Sequence, residues 1–371
     1  MYFCQKPIFM IDPQIEKAVT YDKSFYSSDE VWESSKERIF VHSWQYLGRK
    51  NDLFTPSAKA VPVTLLPHYI DEPLLLTQSD DHRLVCLSNV CTHRAFILIH
   101  EATDSSKLVC KYHGRRFDLE GKMEFMPEFK EVEDFPRPCD HLHKLPLFEW
   151  KGFLFTALQP SLDISRIFSE INERLGFLDI KNWRYAPEYD KIYNVRAHWA
   201  LYVDNFLEGF HIPFVHNTLG AMIDYGTYKT QCFDWHNLQI GYSRGDTPYF
   251  DLPEGHPDSG HKVTAWYYWI FPNFMLNVYP WGLQINVVLP YRKDFTKVLF
   301  YHYIGDEQLW ESMQGENVAD KTQREDEWVV EGVNRGIKSR FYRNGRFSPT
   351  REQGVHHFHQ LLEKTMKPIV S

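Results

Sequence analysis

The chain has 371 residues, 43% hydrophobic and 24% charged, the balance of a folded globular protein with room for two unequal domains. Its net charge of −8, with no run of Lys or Arg, excludes the basic footprint that nucleic acid requires. No run of about 18 apolar residues occurs, and MYFCQKPIFMIDPQIEKAVTYDKSF lacks the order of a secretory signal, so no membrane partner and a cytoplasmic location are expected.

Residues 13–40 contain a helical stretch, with Ser28 or Asp29 as its cap and Val31, Trp32 and Ile39 on one apolar side. From HSWQYLGR at 43 to about 156, short alternating or β-branched segments (PVTLLP, PLLLTQ, RLVCLS, KLVCKY, RFDLEGKM, GFLFTAL) read as strands of a small all-β module. ISRIFSEINERLGFL is helical, and in NVRAHWALYVDNFLEGFHIPFVHNTL a helix gives way near Pro213. Residues 230–305 return to strands, with a hairpin at FPNF, and helices follow at about 315–337 and 350–364. The fold class is α+β: an arm (1–42), a small β domain (43–156) and a larger domain (157–371) with an antiparallel sheet. Aromatic residues at 16% favour sheets and an enclosed apolar pocket. Six cysteines are too few for a disulfide scaffold, so Cys4, Cys86, Cys139 and Cys232 are expected as reduced, buried thiols.

The remaining two cysteines belong to CTHRAFILIHEATDSSKLVCKYHGRRF, residues 91–117, which carries CxH, sixteen residues, then CxxH. In Rieske [2Fe–2S] centres two histidines replace two cysteines on one iron; here Cys91 and Cys110 would hold one iron, and His93 and His113 the other. Neutral imidazoles raise the cluster's potential. A structural zinc site uses the same atoms but commonly groups CxxC and HxxxH, which this pattern does not. Tyr112, before the last histidine, either donates a hydrogen bond to a cluster sulfur or packs under the loop.

DNFLEGFHIPFVH, residues 204–216, carries a second signal. On a regular helix His211 and His216 would diverge, but Pro213 interrupts it and lets the rings converge. Two histidines and a carboxylate form the facial triad of non-haem Fe(II) oxygenases. Within ADKTQREDEWVVEGVNRG, Asp326 shares a helical stripe with Val329 and Val333 and should point inward, Glu325 and Glu327 should be solvated, and Glu331 is the fallback ligand.

CTHR and CKYHG resemble the two cluster-binding loops of Rieske proteins, and both motifs in this order resemble the oxygenase component (α subunit) of Rieske non-haem iron oxygenases. That resemblance implies a Rieske domain ahead of a helix-grip, START-like catalytic domain holding mononuclear Fe(II), O2 as co-substrate, a homotrimer, and a separate flavin or iron–sulfur reductase using NADH or NADPH. It assigns Glu208 as the inter-subunit electron-transfer bridge, with Asp204 and Asn205 matching the acidic and amide residues before it. Ring-hydroxylating members usually have aspartate where Glu208 stands. Glu208, FPNFMLNVYPWG and the closing RGIKSRFYRNGRFS…GVHHFHQLL look most like the branch containing choline and carnitine oxygenases, whose iron carboxylate position Asp326 also matches.

That branch implies hydroxylation, demethylation or cleavage of a quaternary ammonium compound, which aromatic ring faces recognise. Tyr268 or Trp269, with Tyr279 and Trp281, and Phe206 are the candidate cage residues, against the plainer reading that they are sheet core. An aromatic or other apolar substrate is the alternative, and a pure electron carrier would need no second site. His356, His357 and His359 read as the decoration of an amphipathic helix rather than a metal site.

Overall fold

The computed structural model describes residues 10–313 and 315–367, so Cys4 lies outside the described residues. The chain divides into two compact units, one spanning 41–164 and the other joining the chain up to Phe40 with the chain from Ser165.

The smaller unit is all-β around three antiparallel sheets. Ala60–Leu65, Glu72–Gln78, Leu84–Ser88 and Lys144–Leu145 form one, Gln45–Arg49 pairs with Phe153–Thr156 and then Leu147–Trp150, and Leu108–Val109, Arg116–Phe117 and Met123–Phe125 form the third. Leu75, Leu87, Leu98, Leu108, Phe117 and Met123 pack in its core, and Cys91 and Cys110 belong to that cluster. The sequence strands and the placement of both metal motifs in loops are as expected. Cys86 is buried, but Cys139 and Cys232 are exposed, so they are not the buried filler expected of them: neither lies on an inward-facing strand position.

The larger unit is built on an eight-stranded antiparallel sheet. Its order is Arg184–Tyr185, Phe295–Ile304, Gly282–Arg292, Phe274–Tyr279, Val263–Ile270, His236–Tyr242 and Lys229–Cys232, with Lys191–Val195 also pairing with Phe295–Ile304. In Phe295–Ile304, Thr296, Val298, Phe300 and His302 are buried and alternate with half-exposed neighbours, the period-two signature of one packed face. The long helix Gly315–Ile337 packs against helices Trp199–Phe206 and Asn217–Met222 and strand Lys191–Val195. Near the N-terminus, Ser28 caps Asp29–Ser35 by accepting from Val31 N, and Trp32 and Ile39 are buried. No helix among the described residues is long and apolar enough to cross a membrane.

Two local expectations change. The helix at 199 ends at Phe206, well before Pro213; the chain then forms a loop, and Pro213 opens a new turn, Ile212–Val215. A proline suits a first turn because its missing N–H has no partner there anyway. In the long helix, Gln323, Val330, Asn334 and Ile337 are the buried stripe, whereas Val333 is 46% exposed. Asp326 precedes Val330 by one turn and so faces inward, as expected, but not for the Val329–Val333 reason.

Candidate active site and metal centres

His211 immediately precedes the turn Ile212–Val215 and His216 follows it, which brings both rings to one side. Their Nε2 atoms are 3.1 Å apart, and Asp326 Oδ1 lies 3.0 Å from His216 Nε2 and 3.5 Å from His211 Nε2. The three donors form a group within 4.8 Å of one another. Each ring is held from behind: His211 Nδ1 lies 2.6 Å from Glu208 Oε1, and His216 Nδ1 lies 2.7 Å from Glu325 Oε2. Both Nδ1–H groups thus donate to carboxylates, which directs the Nε2 lone pairs together. Asn205 Nδ2 donates to Asp326 Oδ1 at 2.7 Å. Glu208 also accepts from the backbone N–H of Phe210 and, at 3.1 Å, of His211, which folds the loop over its carboxylate. Gly209 belongs to this loop for want of space: a Cβ there would sit 2.7 Å from the Tyr228 ring.

Charge agrees with geometry. Burial opposes protonation of His211, yet hydrogen bonds to Asp326 and Glu208 push it up to about 10. Burial likewise opposes the charge on Asp326, but hydrogen bonds from His211 and His216 hold its carboxyl below the usual range. An anionic pocket that retains protons this firmly is one that a divalent cation can occupy in their place. Two imidazoles, one carboxylate and room for further ligands fit mononuclear iron.

Glu325 corrects the sequence reading. It is not simply solvated but bonds a ligand histidine, because its position beside Asp326 on the helix reaches the back of His216. Glu327 pairs instead with Arg324 at 3.1 Å, and Glu331 accepts from Arg196 N at 3.0 Å, so it is not the ligand. Asp204 stands off the metal site, held by Tyr26 Oη and His359 Nε2, both at 2.9 Å. His359 is therefore a buried partner rather than decoration, and His356 Nε2 binds Asp12 O at 2.8 Å.

In the smaller unit the two motif loops share one backbone pattern. Cys91 N donates to Phe96 O and Ala95 N to Cys91 O; Cys110 N donates to Arg115 O and Gly114 N to Cys110 O. Ala95 and Gly114, each four residues after its cysteine, both have positive φ, at 53° and 74°. The His93 and His113 rings meet at 4.9 Å. Among the described residues no three of these four donors fall within 4.8 Å of one another, unlike the His211 group. A single tetrahedral zinc would draw all four together, so paired donors across a gap fit a two-iron cluster. Tyr112 is 54% exposed and its ring lies 3.7 Å from that of His113, so it does not pack under the loop.

Beside the candidate iron ligands lies a cavity of about 160 Å³ lined in part by Phe206, Tyr228, Tyr267, Tyr279 and Trp281. Tyr279 and Trp281 stack at 4.9 Å, and Tyr267 meets Tyr279 edge-on at 5.9 Å. The expected Tyr268 and Trp269 do not line it. The pleat turns Tyr268 to the opposite face, 6.4 Å from His236, and Trp269 packs farther along the strand on Phe358. The sheet floor is polar: Gln239, Tyr267, Asn277, Gln284 and His302 stand directly opposite one another across five strands. Sequence reasoning missed this row, since isolated amides carry no motif until strand register aligns them. Glu208 and Asp326 also line the cavity, and none of its described lining residues is Lys or Arg.

Residues 181–367 match the family described as ring hydroxylating alpha subunit (catalytic domain), and residues 41–136 match the Rieske [2Fe-2S] domain. The chain belongs to the ring-hydroxylating α-subunit family and is a Rieske non-haem iron oxygenase, an oxidoreductase with a Rieske domain and a His-His-Asp candidate iron site. Chloroplastic choline monooxygenase from Beta vulgaris is 28% identical, over 96% of this chain and 79% of its own length. The carnitine monooxygenase oxygenase subunit of Escherichia coli is 27% identical, over 97% and 96%. Among solved structures, a quaternary ammonium Rieske monooxygenase superposes with a TM-score of 0.78 at 23% identity, covering 98% of this chain and 99% of that one. Naphthalene 1,2-dioxygenase from Rhodococcus gives 0.72 at 16% identity, covering 95% of each. Both structures share the fold.

Proposed function

We propose that this chain is the oxygenase component of a Rieske monooxygenase acting on a quaternary ammonium compound, with a helix-grip catalytic domain, in a homotrimer served by a flavin or iron–sulfur reductase fed by NADH or NADPH. One observation carries the reading: the cavity beside His211, His216 and Asp326 combines ring faces, amide dipoles and carboxylates with no Lys or Arg among its described lining. A quaternary ammonium has no hydrogen to donate, and aromatic faces recognise it best. The choline and carnitine monooxygenases among the relatives support the same substrate class.

When bound, the iron and the cluster supply O2 activation and single electrons. The chain's own residues do the rest. Glu208 and Glu325 fix the two imidazoles, Asn205 fixes Asp326, and Tyr267, Tyr279 and Trp281 hold the cation beside them. Cys91, His93, Cys110 and His113 are the proposed cluster ligands, and Glu208 the bridge to a neighbouring protomer. The balance is substrate C–H plus O2, two electrons and two protons giving C–OH and water; a hydroxylated N-methyl of the cation then loses its hydroxyl proton and collapses to formaldehyde and the tertiary amine as the C–N bond breaks.

Binding of tetramethylammonium, which offers only the cation, tests the cage. The parent should bind it and Trp281→Leu should bind about tenfold more weakly, the loss of one ring face. A parent that binds benzoate or naphthalene but not tetramethylammonium overturns this reading in favour of an aromatic substrate.

A further inference from the structure

The segment that carries Glu208 is held from outside as well as from within. Helix Trp199–Phe206 ends two residues before Glu208, and the last carbonyls of a helix have no partner inside it. Gln239 Nε2, on strand His236–Tyr242, donates to Phe206 O at 2.7 Å. A backbone carbonyl only accepts, so this contact fixes which end of the amide is which. Gln239 Oε1 is left to accept from Tyr228 Oη at 3.2 Å. Burial, and then the charge of Glu208, push the Tyr228 hydroxyl above its ordinary value, which keeps it a donor. The Tyr228 ring in turn closes on Gly209, where a Cβ would sit 2.7 Å from it. Glu208 therefore stands between Phe206 O and Gly209, both held against the sheet by one pair of side chains.

Gln239 and Tyr228 line the cavity together with Glu208, yet these two bonds run to the loop and to each other. We propose that Gln239 and Tyr228 are positioning residues that clamp the Glu208 segment, so that its carboxylate stays on His211 Nδ1, 2.6 Å away. Opening the clamp frees the ring of a candidate iron histidine and displaces the bridge. The first effect follows from the contacts alone, whereas the second rests on the Glu208 bridge proposed above.

Hydrogen exchange in the iron-free protein, read by mass spectrometry over residues 207–212, tests the clamp without turnover. In the closed loop Phe210 N–H and His211 N–H donate to Glu208. Gln239→Leu should speed exchange in this segment at least about tenfold, the order of one buried hydrogen bond lost, while the strands of the sheet keep parental rates. Gly209→Ala, which leaves the buried amide intact but pushes the loop off the Tyr228 ring, should do the same. Fe(II) affinity, measured by competition with a chelator, should fall about tenfold in both. Unchanged exchange at 207–212 overturns the clamp, and so does exchange that rises equally across the larger unit, which would leave only a contribution to fold stability. Reoxidation of the reduced cluster in a single turnover separates the clamp from the bridge. It should slow in Gln239→Leu as it does in Glu208→Gln. A parental rate in Gln239→Leu beside a slow Glu208→Gln overturns the clamp; a parental rate in Glu208→Gln overturns the bridge instead, with the clamp still carried by exchange and iron affinity.

Discussion

Glu208 and Glu325 hold the two candidate iron histidines, yet they face different places: Glu208 lines the cavity, whereas Glu325 opens onto a surface pocket beside Phe214 and Trp328. Removing the charge behind a ligand histidine usually lowers metal affinity about 10–100-fold. Glu325→Gln should accordingly release mononuclear iron to a chelator at least about tenfold more readily, while Glu327→Gln, whose carboxylate faces Arg324, should not; equal iron retention in both would remove the positioning role from Glu325. Glu208→Gln should keep both centres loaded and the cluster reducible but abolish turnover. Full activity in that variant would exclude the bridge. The candidate metal ligands were legible because donor type and spacing are written in the chain, CxH with CxxH and two histidines around a proline. Glu325 was not, since a helix wheel ranks directions and cannot show that a side chain beside the inward one bends back to a ring on another element.

At the level of elements, the C-terminal helix Gln353–Met366 closes on the end of helix Trp199–Phe206 at a glycine. A Cβ on Gly354 would lie 2.3 Å from the carbonyl oxygen of Leu207, the residue that ends the helix just before Glu208. Gly354→Ala should therefore cost about 1–3 kcal/mol and lower the melting temperature by several degrees. An unchanged melting temperature would show that the two elements part without cost. Many strand and helix positions were readable from turn residues and periodicity, but Lys191–Val195, whose last two residues were read into a helical stretch, is a strand. The face of AWYYWIF was not readable, because an unbroken run of large rings has no alternation to say which side the pleat turns inward; hence Tyr268 was expected where Tyr267 stands. The end of the helix at Phe206 was hidden for a related reason: Pro213 marks a boundary without saying whether it closes one helix or opens another.

Across the larger unit, two buried histidines, His198 and His236, and the half-buried His357 couple stability to pH. Burial holds His198 and His236 down at about 3 and His357 at about 4, against an ordinary value of 6.5. In the unfolded chain they take up protons that the fold refuses, so their stabilising contribution is complete above pH 6.5 and is lost as pH falls from there toward 3–4. Melting temperatures should thus begin to fall below about pH 6.5, well before carboxylates titrate, and His236→Gln should flatten that decline; a profile flat down to about pH 4.5 would contradict the assignment. In the proposed function, the aromatic cavity presents a quaternary ammonium compound to the His211–His216–Asp326 site. A single-turnover reaction of chemically reduced, metal-loaded protein with O2 tests it without any reductase, with products read by mass spectrometry after exposure to choline, carnitine, betaines and aromatic acids in parallel. Hydroxylated or demethylated product from a trimethylammonium compound alone is the predicted result, and product from an aromatic acid alone would contradict it.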